Sequence, residues 1–133
     1  MIAAIHVGWR GAHKDIVKKV IKFMIQKGCD AKNITSVIGP CISLKNYEVK
    51  QDFIKKFTKK DKNASIFFKK MKNKNFFSLN KYIYYQLKTL GIKKIDIIKK
   101  DTFDIKNNFF SARRSIRQNE NDYGRNISII MIN

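Results

Sequence analysis

Ile16, Val17, Val20, Ile21, Met24 and Ile25 recur at the three- and four-residue spacing of one helical face, and Lys14, Lys18, Lys19 and Lys22 occupy the other. The pattern predicts a helix over about 12–27, with Gly28 placed to end it in the left-handed conformation. Leu79, Ile83, Leu87 and Leu90 form a second stripe, so a helix is expected over 79–90 with Gly91 as its stop. Shorter apolar runs read as strands: Ile2 to Ile5 as a buried one, then Ser36-Val37-Ile38, Ile95 to Ile98, and Ile127 to Ile132. Gly39-Pro40, which includes the only proline, breaks the second of these and delivers Cys41 and Ile42. Tyr47-Glu48-Val49 reads as extended before a helix over about 51–57. Lys59 to Phe77 is the least regular stretch. Its Phe67, Phe68, Phe76 and Phe77 are read as a core edge rather than a platform for stacking bases.

Strands alternating with helices predict an α/β (mixed α+β) fold, a layered mixed sheet with flanking helices. No repeat, linker or composition break divides the 133 residues, a length that suits a single domain. No apolar run approaches the roughly 18 residues of a membrane span and no signal peptide is evident, so a cytoplasmic protein is expected. Cys29 and Cys41 form no C-x-x-C pair and read as reduced thiols.

The formal net charge is +19. Clustered lysines would suit a nucleic-acid partner, since they displace counterions from phosphates. Here the doublets at 18/19, 55/56, 59/60, 69/70, 93/94 and 99/100 are spread along the chain, and Ile and Asn are abundant too. Lys, Ile and Asn share A/T-rich codons, and compositional bias is the simpler explanation. Against that background the five arginines stand out: Arg10, Arg113, Arg114, Arg117 and Arg125. A planar fork that grips phosphate or carboxylate at two points is a reason to keep arginine where lysine would supply bulk charge.

Three blocks carry candidate chemistry. In His6-Val7-Gly8-Trp9-Arg10-Gly11 the glycines permit a tight turn and close backbone approach to an anion, Arg10 adds a fork, and His6 is a candidate metal ligand. The same residues also suit a plain strand-to-helix turn with a buried histidine, and His13 is expected on the surface rather than as a second ligand. In Gly39-Pro40-Cys41-Ile42, Cys41 is either a small core residue or a nucleophile activated by His6. Phe109-Phe110-Ser111-Ala112-Arg113-Arg114, with Gly124-Arg125 leading into the last strand, forms either an anion pocket made by a returning loop or a solvated basic loop.

In order and approximate spacing, these three blocks resemble the laccase-domain polyphenol oxidase family, whose bacterial members are described as zinc-dependent purine nucleoside phosphorylases. The resemblance covers roughly the C-terminal half of a full-length member and implies that residues 1–133 are the C-terminal portion of one N-terminally truncated domain. It implies phosphorolysis of adenosine, inosine and methylthioadenosine in the cytoplasm, with an adenosine deaminase side activity. Copper-dependent phenol oxidation and editing of peptidoglycan precursors are the alternatives ascribed to the family.

The family's metal is held by a histidine, a cysteine and the histidine that opens the H-x-G-W-R-G block. Only the last has a counterpart here, His6, so zinc (copper in the oxidase reading) is expected at an incomplete site, with an N-terminal half encoded upstream as the expected partner. Phosphate and the purine nucleoside are the expected ligands, with Arg10, Arg113 and Arg125 as the phosphate-binding candidates by charge and position. Asp101 to Phe103 departs from the family's usual Cys-Thr-Tyr, and the 115–123 loop is longer than usual. An inactive remnant or half of a split protein, and a basic nucleic-acid-binding module, are the rival readings, the last the least favoured. Beginning at Ile2 to Ile5 would leave a sheet edge uncovered, so poor solubility in isolation is expected.

Overall fold

In a computed structural model, which describes residues 1–132, the chain is mixed α/β and divides into two compact units. Unit 1 comprises residues 1–39, 80–98 and 127–132, and unit 2 comprises 40–79 and 99–126.

Unit 1 contains α1 (Trp9–His13), α2 (Ile16–Gln26), β1 (Thr35–Ile38), nearly all of α4 (Leu79–Thr89) and β5 (Lys94–Ile97). The helix expected over 12–27 is thus two helices. Lys14 closes α1 and Asp15 adopts the left-handed conformation, φ 57° and ψ 37°, before α2 begins. Aspartate tolerates that region better than most side chains. The stripe read from the sequence is the buried one, with Val17, Ile21 and Met24 inside.

Both glycine stops behave as expected. At Gly28 (φ 92°) the N–H reaches Ile25 O at 2.9 Å and Cys29 N–H reaches Met24 O at 3.0 Å. At Gly91 (φ 84°) the matching bonds run to Lys88 O at 3.0 Å and from Ile92 to Leu87 O at 3.2 Å. Each is a Schellman closure, and at the second Ile92 and Leu87 are buried together with Tyr82 and Ile83. Strands β1 and β5 pair in parallel, with Thr35 opposite Lys94 and Ile38 opposite Ile97.

Unit 2 contains β2 (Glu48–Val49), α3 (Gln51–Lys60), β3 (Phe68–Met71), β4 (Lys74–Phe77) and α5 (Ala112–Arg117). Its antiparallel sheet runs β2-β4-β3. The irregular stretch 59–77 therefore holds a hairpin. Lys72 and Asn73 both have positive φ, 47° and 59°, as the two-residue turn of such a hairpin requires. Phe67 and Phe77 are buried and Phe68 and Phe76 half-buried, the core edge expected of them, and Phe53 and Phe57 of α3 complete an aromatic cluster. Phe53 stacks on Phe57 and Phe68 on Phe77, each at 4.8 Å between centroids, and Phe57 meets Phe77 at 5.0 Å. Phe57 and Phe77 are fully buried.

Two expected strands are absent. Residues 2–5 form no strand and are largely exposed, and residues 127–132 form none either, with Ile127 83% and Met131 74% exposed. Apolar, β-branched composition makes a strand only where another strand takes up its N–H and C=O groups, and no described residue does so for either segment.

Phe77→Ala should cost about 3–5 kcal/mol in urea unfolding, because it opens a cavity at the centre of the aromatic cluster.

Candidate functional site

The first block forms a turn into α1. Gly8 caps the helix from an extended conformation, accepting from Ala12 N–H at 2.9 Å. A Cβ on Gly8 would lie 3.4 Å from His6 Nε2, so the imidazole rests over the bare backbone. A Cβ on Gly11 would lie 3.2 Å from Ile16 Cγ2, so that glycine lets α1 close on the start of α2. His6 is exposed rather than buried, and its ring has no hydrogen-bonding partner among the described residues. Arg10 is also exposed, its guanidinium 5.3 Å from the Trp9 ring centroid. From α4, Gln86 Nε2 donates to Ala12 O at 3.0 Å and ties the end of the turn in place.

His13 is half-buried within α1 rather than on the surface. A catalytic zinc takes three protein ligands. Among the described residues no three His, Cys, Asp or Glu side chains gather in a way that could hold a metal, so His6 does not sit in a ligand set that fits zinc or copper.

The arginine block lies in unit 2, on helix α5 rather than in a loop. Ser111 caps that helix, its Oγ accepting from Arg114 N–H at 3.3 Å. Arg114 turns inward and donates to three carbonyls: Thr102 at 3.1 Å, Phe103 at 3.0 Å and Phe109 at 2.6 Å. Arg113 donates to Glu48 O at 3.1 Å and lies over the Tyr47 ring at 5.3 Å. Burial pushes the Tyr47 phenol up to about 12; the neighbouring guanidinium pulls the other way and Cys41 adds to the rise.

Arg125 does not lead into a strand. It pairs with Asp122 at 3.6 Å and covers the Tyr123 ring. Asn126 nevertheless brings the two ends of this block together, accepting from Phe110 N–H at 3.0 Å and donating to Phe110 O at 2.8 Å. The Phe110 ring lies so close to Gly124 that a Cβ there would overlap it. Cys41 is half-buried; its backbone bridges to Asp101 and its thiol donates to Ile42 O.

The departure at Asp101 carries a network that sequence reasoning did not foresee. The carboxylate accepts from Ser43 Oγ at 2.5 Å and Ser43 N–H at 3.1 Å, from Asn46 Nδ2 at 2.7 Å and from Phe103 N–H at 2.9 Å. Burial acts to raise its pKa, but these four bonds, the Ser43 hydroxyl foremost, outweigh it and hold the carboxyl below its ordinary value. The acid-with-serine pairing across 58 positions leaves no local signature from which it might be read.

An α/β framework with an exposed histidine and arginine on a glycine turn, and an arginine-clamped loop in its second unit, is thereby defined. Residues 1–133 match the family described as multi-copper polyphenol oxidoreductase laccase, and the chain belongs to that family. It is 36% identical over 129 residues to a purine nucleoside phosphorylase of Rickettsia conorii, covering 96% of this chain and 52% of the relative. It is 31% identical over 132 residues to a purine nucleoside phosphorylase of Haemophilus influenzae, covering 97% and 51%. The fold is similar to the crystal structure of a Neisseria meningitidis protein of the DUF152 family, with TM-score 0.67 and 25% identity over 82% of this chain and 44% of that one. The chain spans about half the length of the curated relatives it matches. The family resemblance read from the three blocks is borne out.

Asp101→Asn should lower stability near neutral pH by roughly 1–2 kcal/mol, a range reduced for partial exposure. A lowered carboxyl pKa contributes stability above the unfolded value of about 3.9 and loses it as the pH falls through the folded value. The gap between variant and parent in urea midpoints should therefore close in strong acid. Arg114→Lys should cost about 1–3 kcal/mol, since an ammonium cannot span three carbonyls set for a planar fork; a thermal midpoint equal to the parent's would contradict the clamp.

Proposed function

We propose that the chain carries part of a purine nucleoside phosphorylase, acting in the cytoplasm on nucleosides such as inosine, adenosine and methylthioadenosine. A phosphate oxygen attacks C1′ of the ribose, the glycosidic C–N bond breaks with its electron pair leaving on the purine, and free base and ribose 1-phosphate result. The names of the relatives support this reading, and one observation in the chain carries it: Arg10, exposed on the glycine turn beside His6, has a guanidinium that donates to no group among the described residues. A fork so free is available to hold phosphate in line for attack. Of the other two candidates, Arg113 spends part of its fork on Glu48 O and Arg125 is engaged with Asp122, so the phosphate-binding role falls to Arg10.

His6 would serve as one zinc ligand. The described residues do not gather the others, so this chain's own part in the chemistry is to bind and orient phosphate.

The test combines the chain with the portion of the Rickettsia conorii relative that lies outside the matched residues, supplying zinc, inosine and phosphate. Hypoxanthine release should require phosphate and yield ribose 1-phosphate. Arg10→Gln should raise KM for phosphate by about tenfold or more and leave KM for inosine within a few-fold. Release of free ribose without phosphate, oxygen-dependent oxidation of a phenol in its place, or no turnover of any kind would each overturn the proposal.

A further inference from the structure

Unit 2 contains an open cleft of about 520 Å³, lined in part by Lys45, Phe103, Asp104, Ile105, Arg114 and Arg117. Three of these side chains are cationic and one is anionic, and the cations are poorly balanced. The Arg114 guanidinium is half-buried and spends its bonds on carbonyls, so no carboxylate among the described residues lies within ion-pair distance of it. Lys45 is exposed and likewise has no ion-pair partner among the described residues. Arg117 reaches Glu48 Oε2 only at 3.8 Å, and that oxygen already takes Lys74 at 3.0 Å. The Asp104 carboxylate is turned to its own loop, accepting from Lys106 N–H at 3.0 Å.

A concave surface with surplus positive charge focuses potential and concentrates small anions. The same cleft has an apolar wall: the Phe103 ring, with Arg117 5.0 Å from its centroid, and Ile105, which is 68% exposed. A fork lying against a ring offers charge and a planar surface at one place.

We infer that this cleft is a binding site for a small phosphate monoester with an aromatic or other apolar body. Its phosphoryl group meets Arg117 and Lys45, its charge is balanced further by Arg114, and its body lies against Phe103 and Ile105. A dianion answers a surplus of about two positive charges better than a monocarboxylate does. None of these residues belongs to the glycine turn, so the inference does not rest on phosphorolysis, and a binding measurement separates the two.

The test is calorimetric titration of the full chain with phenyl phosphate, inorganic phosphate, benzoate and benzyl alcohol, with amide shifts recorded by NMR. Phenyl phosphate should bind most tightly, benzyl alcohol should not bind, and the shifts should centre on the backbone of Phe103 and Ile105. The double variant Lys45→Gln with Arg117→Gln should weaken phenyl phosphate binding by about tenfold or more. A variant of equal charge change elsewhere on unit 2, Lys59→Gln with Lys70→Gln, should bind within about twofold of the parent, the margin left for screened long-range charge. Arg114 is left intact because it holds the loop. The shift map on the unmodified chain keeps the test decisive even if the cleft variant unfolds. Equal weakening in both double variants would reduce the effect to bulk charge and overturn the site. Shifts centred elsewhere, or inorganic phosphate or benzoate binding as tightly as phenyl phosphate, would overturn it as well.

Discussion

A stretch of chain without a hydrogen-bonded ladder still has to find partners for its peptide groups, and within residues 101–110 two side chains, Asp101 and Arg114, meet that requirement at Thr102, Phe103 and Phe109. Asp101 collects donors from Ser43, Asn46 and Phe103, and Arg114 supplies donors to Thr102, Phe103 and Phe109. Phe103 is held from both sides, its N–H by the acid and its C=O by the base. The segment is thereby fixed against the 43–46 turn and against α5 without forming a sheet. Arg113 and Arg117, carried on the same short helix, then fall beside Tyr47, Glu48 and Phe103.

The division of labour between charge types follows from this. Lysines remain mostly at the exposed positions, where a solvated ammonium costs nothing to place. Arginines sit where geometry matters: one clamps a loop, one pins β2 from outside, one covers an aromatic face, and one extends from the glycine turn. Arginine was informative in so lysine-rich a chain, but the sequence did not distinguish a fork that holds the protein from a fork free to hold a ligand. Arg113 and Arg114 are adjacent and chemically identical, yet helix α5 turns them to different carbonyls. Arg117, which no motif singled out, lines the cleft together with Arg114.

What could be read in advance was what depends on local spacing. The stripes of α2 and α4 and the glycines that stop them are patterns of a few residues, and they fold as written. The hairpin at 68–77 escaped because its turn is Lys72-Asn73, without the glycine that usually marks such a turn. Helix α5 escaped because its cap, Ser111, sits inside a motif that drew attention to its arginines. The terminal strands were overread. Ile2 to Ile5 and Ile127 to Ile132 have strand composition, but a strand is a relation between two segments, and composition describes only one. The carboxylate of Asp101 is bound by Ser43, 58 positions away in sequence and beyond the reach of any local pattern.

The parallel pair in unit 1 joins Thr35 to Lys94, and the first part of unit 2, residues 40–79, lies between them in sequence. Closing so long a loop before any native contact rewards it is entropically costly, whereas the hairpin and aromatic cluster of unit 2 form between near neighbours. On that ground residues 40–79 are expected to collapse before β5 docks on β1. The sheet of unit 1 then waits on a segment that contributes no strand to it, and a lesion in the Phe57–Phe77 cluster is expected to slow the β1–β5 pairing as well as weaken its own unit.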